Sequence, residues 1–132
     1  MRGSRGGTPS PEGPTVSFAA DLFADVDRKD ASLFAPYLAE GCVFQFANAP
    51  EVVGRDNVER GLAAFYDTIA GLRHDLVRTW EVDATTIVRM TVEYTRLDGS
   101  SVSMPAAVIF ERGPDGLIVD YRIFVDQAPL FA

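Results

Sequence analysis

His74 is the only histidine in the chain. An imidazole, with an ordinary pKa of about 6.5, is the side chain best suited to moving protons near neutral pH. It alternates with Leu76, Trp80 and Val82, which places it on the apolar side of a strand, as a hydrogen-bonded core residue or as a proton carrier. Tyr37, Tyr66 and Tyr121 are candidate proton donors to a ligand carbonyl. Tyr121 is the best placed of them, in the inward set Val119, Tyr121, Ile123 and Val125, where its hydroxyl needs a partner. Asn48 follows an aromatic strand and precedes Pro50, so it either orients a ligand oxygen or bonds its own backbone in an Asx turn. Glu93 belongs to a polar alternate set with Arg89, Thr91 and Thr95, opposite the more apolar Thr86, Val88, Met90, Val92 and Tyr94. Period two leaves Glu93 two places, on a wet outer face paired with Arg89 or in a polar-lined interior. One histidine and one cysteine offer no zinc-ligand spacing, and neither a Gly-x-Ser-x-Gly elbow nor a phosphate loop is present.

These residues sit in a chain of 132 residues, enough for one domain with a sizeable core. A hydrophobic content of 47% and a charged content of 23% are those of a soluble globular protein. The net charge of −7 argues against nucleic acid or an anionic membrane as partner, since both reward a basic face. Cys42 has no second cysteine to pair with and reads as a buried thiol. No apolar run has the length of a membrane span, and a cytoplasmic protein is the default expectation.

The elements that must position the candidates follow in order. Met1–Pro14 is rich in glycine and proline, too poor in apolar side chains to offset its ordering entropy, and is expected to be a flexible tail. One domain then spans residues 15–132. Thr15 or Ser17 caps a helix to about Arg28, and Asp30 caps a short piece, Ala31–Phe34. Pro36 begins a helical segment through Leu38, and Cys42–Phe46 reads as a strand. Gly54-Arg55-Asp56 opens a helix from Asn57 to about Ala70, with Val58, Leu62, Phe65 and Ile69 at helical spacing and Gly71 closing it. Gly61 inside that helix points to a close packing contact. From there the period becomes two, giving strands Arg73–Val82, Thr86–Leu97, Ser101–Arg112 and Leu117–Val125. Asp98-Gly99 between alternating runs is a strong hairpin signal, and Pro105 implies a bulge or an unpaired N–H. Helices first and strands after mean α+β, with N-terminal helices packed in a strongly curved antiparallel sheet that ends in a four-strand meander.

This order resembles the cone-shaped fold of the nuclear-transport-factor-like superfamily, and most closely its SnoaL-like members. The resemblance rests on Phe44-Gln45-Phe46-Ala47-Asn48-Ala49-Pro50, Gly54-Arg55-Asp56, Leu72-Arg73-His74, Tyr94-Thr95-Arg96-Leu97-Asp98-Gly99 and Asp120-Tyr121-Arg122-Ile123-Phe124-Val125-Asp126. It implies an apolar ligand in the cone and a homodimer through the convex sheet face. Phe124 and the outward set Ser103, Pro105 and Ala107 supply an apolar patch for that partner. The departures from relatives matter as much. The cyclases and limonene epoxide hydrolase carry a working aspartate on the last strand, where this chain has Ile123. The proton-shuttling aspartate of ketosteroid isomerase lies in the Phe44–Asn48 region, which holds no acid here. The hydrolase's tyrosine and asparagine fall on Phe44 and Phe46, and its arginine and aspartate on Thr91 and Glu93.

By this resemblance Glu93 is the one carboxylate placed in the cone, where desolvation would raise its pKa for proton transfer. The expected proton-handling set is Glu93, His74 and Tyr121. Phe44, Phe46, Asn48, Tyr66, Met104, Val108 and Ile123 are the expected ligand contacts. No cofactor and no metal are expected. The function implied is acid–base cyclisation, isomerisation or dehydration of an apolar, oxygenated, polyketide- or terpenoid-like molecule. The alternative is a dimeric module that binds or assembles without chemistry, which Ile123 favours. A cavity in which polar groups converge separates the first reading from a cone filled with side chains.

Overall fold

The computed structural model describes residues 17–131. The tail expected over Met1–Pro14 and the alternative cap Thr15 lie outside them. Ser17 caps α1 (Phe18–Val26), its hydroxyl accepting from the Ala20 N–H at 2.9 Å and satisfying a donor that the helix leaves orphaned. Ala19, Leu22, Phe23 and Val26 bury one side of that helix. Asp30 caps α2 (Ala31–Phe34) in the same way through the Ser32 N–H. Pro36 lies in a single 3-10 turn, Ala35–Tyr37. Leu38 leaves the helical segment and opens β1 (Leu38–Phe46), because it pairs with Ile118 far along the chain.

After the two-residue β2 (Val52–Val53) comes α3 (Arg55–Tyr66), four residues shorter at its end than the periodicity suggests. Ile69 fits the helical stripe, but it opens β3 (Ile69–Val82) instead. Ile69, Gly71 and Leu72 pair with Arg96, Thr95 and Tyr94, and the Thr68 hydroxyl closes the helix on the Phe65 carbonyl at 2.6 Å. A ladder of long-range pairs outweighs one more helical turn. Gly61 is exposed with open space where a Cβ would sit, so no close contact explains it.

β4 (Thr85–Arg96), β5 (Ser101–Arg112) and β6 (Ile118–Val125) complete the meander, and a 3-10 turn, Ala128–Phe131, follows. The six-stranded sheet runs β2-β1-β6-β5-β4-β3, with β1 parallel to β6 and the other neighbours antiparallel. Gly99 adopts φ +89°, the left-handed conformation that the Asp98-Gly99 turn requires. Pairing of β5 with β4 runs through Pro105 without a register shift. Pairing with β6 begins only at Ala106, so the proline sits where that side is open.

One face of the sheet is the core. Val88, Met90, Val92 and Tyr94 on β4, Met104, Ala106, Val108 and Phe110 on β5, and Tyr121 on β6 are all buried there. The helices cover this concave face, and the opposite face is the more exposed. A register shift between Leu76 and Arg78 changes which side β3 presents. His74 stands opposite Val92 and Leu76 opposite Met90, both inward, but Trp80 stands opposite Ile87 on the outer side. The single alternation drawn through His74, Leu76, Trp80 and Val82 is therefore broken at the bulge. Among the described residues no helix is long and apolar enough to cross a membrane.

Candidate functional site

Between the helices and the concave sheet lies a small cavity of about 50 Å³, partly open to solvent. Its deep wall is aromatic. The Tyr121 ring lies between Phe44, stacked at 5.5 Å and 5°, and Phe110 at 6.0 Å and 13°, with Phe34 edge-on at 5.2 Å. Such pairs add about 0.5–1.5 kcal/mol each beyond area burial and fix the ring planes. Half-buried Phe46, Leu62, Phe65, Leu72 and Val125 line the side nearer solvent. None of the lining residues is Lys, Arg, Asp or Glu.

His74 reaches this cavity from β3. Behind it stands Asp27, the residue that ends α1. The Asp27 carboxylate accepts the His74 backbone N–H at 3.0 and 3.1 Å and lies 2.6 Å from Nδ1 of the ring. An ionised carboxylate only accepts, so this contact places the ring proton on Nδ1 and leaves Nε2 as the basic nitrogen. Phe23 packs on the imidazole at 5.1 Å, and among the described residues Nε2 has no hydrogen-bond partner.

Three phenols share the enclosure. Tyr66, Tyr94 and Tyr121 are 5%, 4% and 3% exposed and all line the cavity. Burial pushes Tyr66 up to about 12, with Tyr94 and then Asp27 adding to the shift. Burial alone pushes Tyr94 up to about 12. Tyr121 rises well above its ordinary value through burial, with Tyr66 and Tyr94 adding. Among the described residues none of them has a hydrogen-bond partner, an unusual state for buried polar groups. They are neutral O–H donors at any physiological pH. Tyr37 is occupied elsewhere: it donates to Asp25 at 2.6 Å and does not line the cavity.

Of the residues that the sequence points to, His74, Tyr121, Tyr66, Phe44, Phe46, Val108 and Ile123 line the cavity. Glu93 does not. It stands opposite Ser103 and Arg73 on the outer face, 3.7 Å from the Arg73 guanidinium, which corrects its placement in the cone. The reason is the pleat: Val92 and Tyr94 are buried, so the residue between them must face out. Asn48 is exposed in the turn after β1 and lines a surface depression that shares Val125 with the cavity, but it does not line the cavity itself. Met104 is buried beside Val92 without reaching the cavity. Sequence reasoning missed Asp27 and Tyr94. Tyr94 was legible as part of the apolar alternate set, but Asp27 meets His74 across 47 positions and leaves no local trace.

The signature of SnoaL-like domains matches residues 19–121. The chain belongs to the SnoaL-like family. No curated protein matches it. Solved structures of low identity share its fold. SalBIII, an epoxide hydrolase/cyclase-like enzyme in pyran ring formation in polyether salinomycin, superposes with a TM-score of 0.72 at 16% identity, over 83% of this chain and 88% of its own. TerC, crystallised with polyporic acid, gives 0.76 at 14% identity over 90% and 96%. A ketosteroid isomerase-like protein from Catenulispora acidiphila, in complex with trimethylamine, gives 0.75 at 10% identity over 83% and 85%.

In this SnoaL-like cavity a braced imidazole can take a proton from a C–H or O–H while the neutral phenols donate to the oxygen where charge develops. Among the described residues no group of three or more His, Cys, Asp or Glu is arranged to hold a metal.

Proposed function

We propose that this SnoaL-like domain binds an apolar, oxygen-bearing molecule of polyketide-like or terpenoid character and rearranges it by cofactor-free acid–base chemistry. Cyclisation, isomerisation and dehydration all need a base at one atom and a proton donor at a nearby oxygen. The observation that carries the reading is the Nε2 of His74, without a hydrogen-bond partner among the described residues, backed by Asp27 and sharing the cavity with three phenols whose hydroxyls likewise have none among those residues. The largely apolar lining around these groups strengthens their action on a bound ligand. His74 is the base, Asp27 its positioning residue, and Tyr66, Tyr94 and Tyr121 the donors.

The test is exchange of the α-hydrogens of a small apolar ketone, 2-tetralone, in deuterated water, followed by proton NMR. Exchange faster than in buffer, and lost when Val108→Trp fills the cavity, is the expected result. Buffer-level exchange across a panel of such ketones would refute the reading.

Ile123, where catalytic relatives carry an acid, favours the second reading, a dimeric module that holds its ligand without chemistry. Both readings include a second copy of the chain on the convex face. There Phe124 is 53% exposed opposite Ala107, and Ile87 and Ile109 pair on the same side. A dimer mass in light scattering at micromolar concentration is expected, and a monomer would contradict it.

A further inference from the structure

The turn that ends α1 grips two elements of the cavity wall. Asp27 holds β3 at His74, and two residues further on Lys29 donates from its ammonium to the Tyr66 backbone carbonyl at 3.0 Å. Tyr66 is the last residue of α3. A helix leaves its final carbonyls without partners and carries the negative end of its dipole there, so a cationic donor suits the position twice over. Leu62, Phe65 and Tyr66 are the residues that α3 brings to the cavity. The Lys29 backbone has φ +56°, in the left-handed region that glycine occupies without strain. A lysine at such a position is accounted for by its side chain. Lys29 is half-buried and forms no ion pair among the described residues, which leaves the Tyr66 carbonyl as what its ammonium serves.

We propose that Lys29 is a positioning residue that fixes the end of α3 through the Tyr66 carbonyl. Together with Asp27 on β3, it makes the three-residue turn Asp27–Lys29 the element that sets the spacing between the His74 ring and the Tyr66 phenol. A ligand between them then meets its base and a donor already in place, which is how orientation lowers a barrier. The inference rests on the reading of His74 and Tyr66 as base and donor.

A double-mutant cycle on the full chain tests it, read by 2-tetralone hydrogen exchange and by backbone amide exchange. Lys29→Met keeps an unbranched side chain and removes the donor. It should lower kcat for the ketone about tenfold and leave KM within about twofold, the signature of lost orientation. Lys29→Arg, which keeps a cationic donor, should recover most of that loss. In a Tyr66→Phe background Lys29→Met should cost no more than about twofold, because the phenol that it positions is gone. The Asp67 and Thr68 amides close the helix on the Ala63 and Phe65 carbonyls. They should exchange about tenfold faster in Lys29→Met while the amides of β4 and β5 keep their protection, which a general loss of stability would not do. Equal losses in the two backgrounds, unchanged exchange at Asp67 and Thr68, or loosening of all amides together would overturn the inference. An active parent and an equally active Lys29→Met would refute this inference alone, whereas a parent without ketone exchange would refute the proposed function and this inference with it.

Discussion

Asp27 and His74 lie 47 positions apart and meet at 2.6 Å, carboxylate oxygen to ring Nδ1, while the same carboxylate also takes the His74 backbone N–H. One residue therefore ends a helix, anchors a strand and sets the orientation of the only imidazole. Its side chain is 25% exposed and that of His74 11%, so the acid keeps contact with water while the ring faces the cavity. A base held in this way spends little entropy on orientation when ligand arrives.

His74→Asn should reduce ketone hydrogen exchange about 100-fold or more, the usual worth of a positioned general base. Asp27→Asn should lower it at least about tenfold with His74 still present, because the amide no longer selects the Nδ1–H form. Rates from proton NMR in deuterated water decide both, and unchanged exchange in either variant counts against the assignment.

Glu93→Gln should leave exchange within about twofold of the parent and stability within about 0.5 kcal/mol. Its partner Arg73 is a surface residue, and exposed ion pairs contribute little. A loss of activity comparable to that of His74→Asn would return Glu93 to the site.

Gly61→Ala should stabilise the fold by about 0.5–1 kcal/mol. The position is an exposed helix interior with open space for the methyl group, and alanine restricts the unfolded chain. A rise in the urea midpoint with unchanged slope checks it, and a fall would expose a contact missing from this account.

All four tyrosines resist ionisation: Tyr37, Tyr66 and Tyr94 are pushed up to about 12, and Tyr121 rises well above its ordinary value. The unfolded chain ionises them near 10, so above that pH it holds fewer protons than the native state. Stability is then fully present below pH about 10 and is lost as pH rises towards 12. Tyrosinate absorbance should appear together with loss of circular dichroism. Early, separate ionisation of Tyr66, Tyr94 or Tyr121 would mean that the buried hydroxyls are wetter than the structure shows.

Much of the architecture is legible in the sequence because its signals are local. Asp98-Gly99 names a hairpin, Ser17 and Asp30 name caps, and alternation names the strands. What misleads is non-local. The shift after Leu76 reverses Trp80 without any glycine or proline to announce it, and the pairing of Ile69–Leu72 with β4 takes a turn away from α3. The site divides in the same way. Tyr121 and His74 are visible as polar atoms in apolar alternation, whereas Asp27 acquires its role only when α1 docks beside β3. Glu93 enters the cone only through the resemblance, whereas its own alternation with buried Val92 and Tyr94 is what turns it outward.

Because His74 is the only histidine, nitrogen-15 NMR of its side chain reads the central claim without assignment. In the neutral imidazole the account predicts a protonated Nδ1, a bare Nε2, and a shift of Nε2 when 2-tetralone is added, with Nδ1 little changed. A protonated Nε2 and bare Nδ1, or resonances indifferent to the ketone, would contradict it.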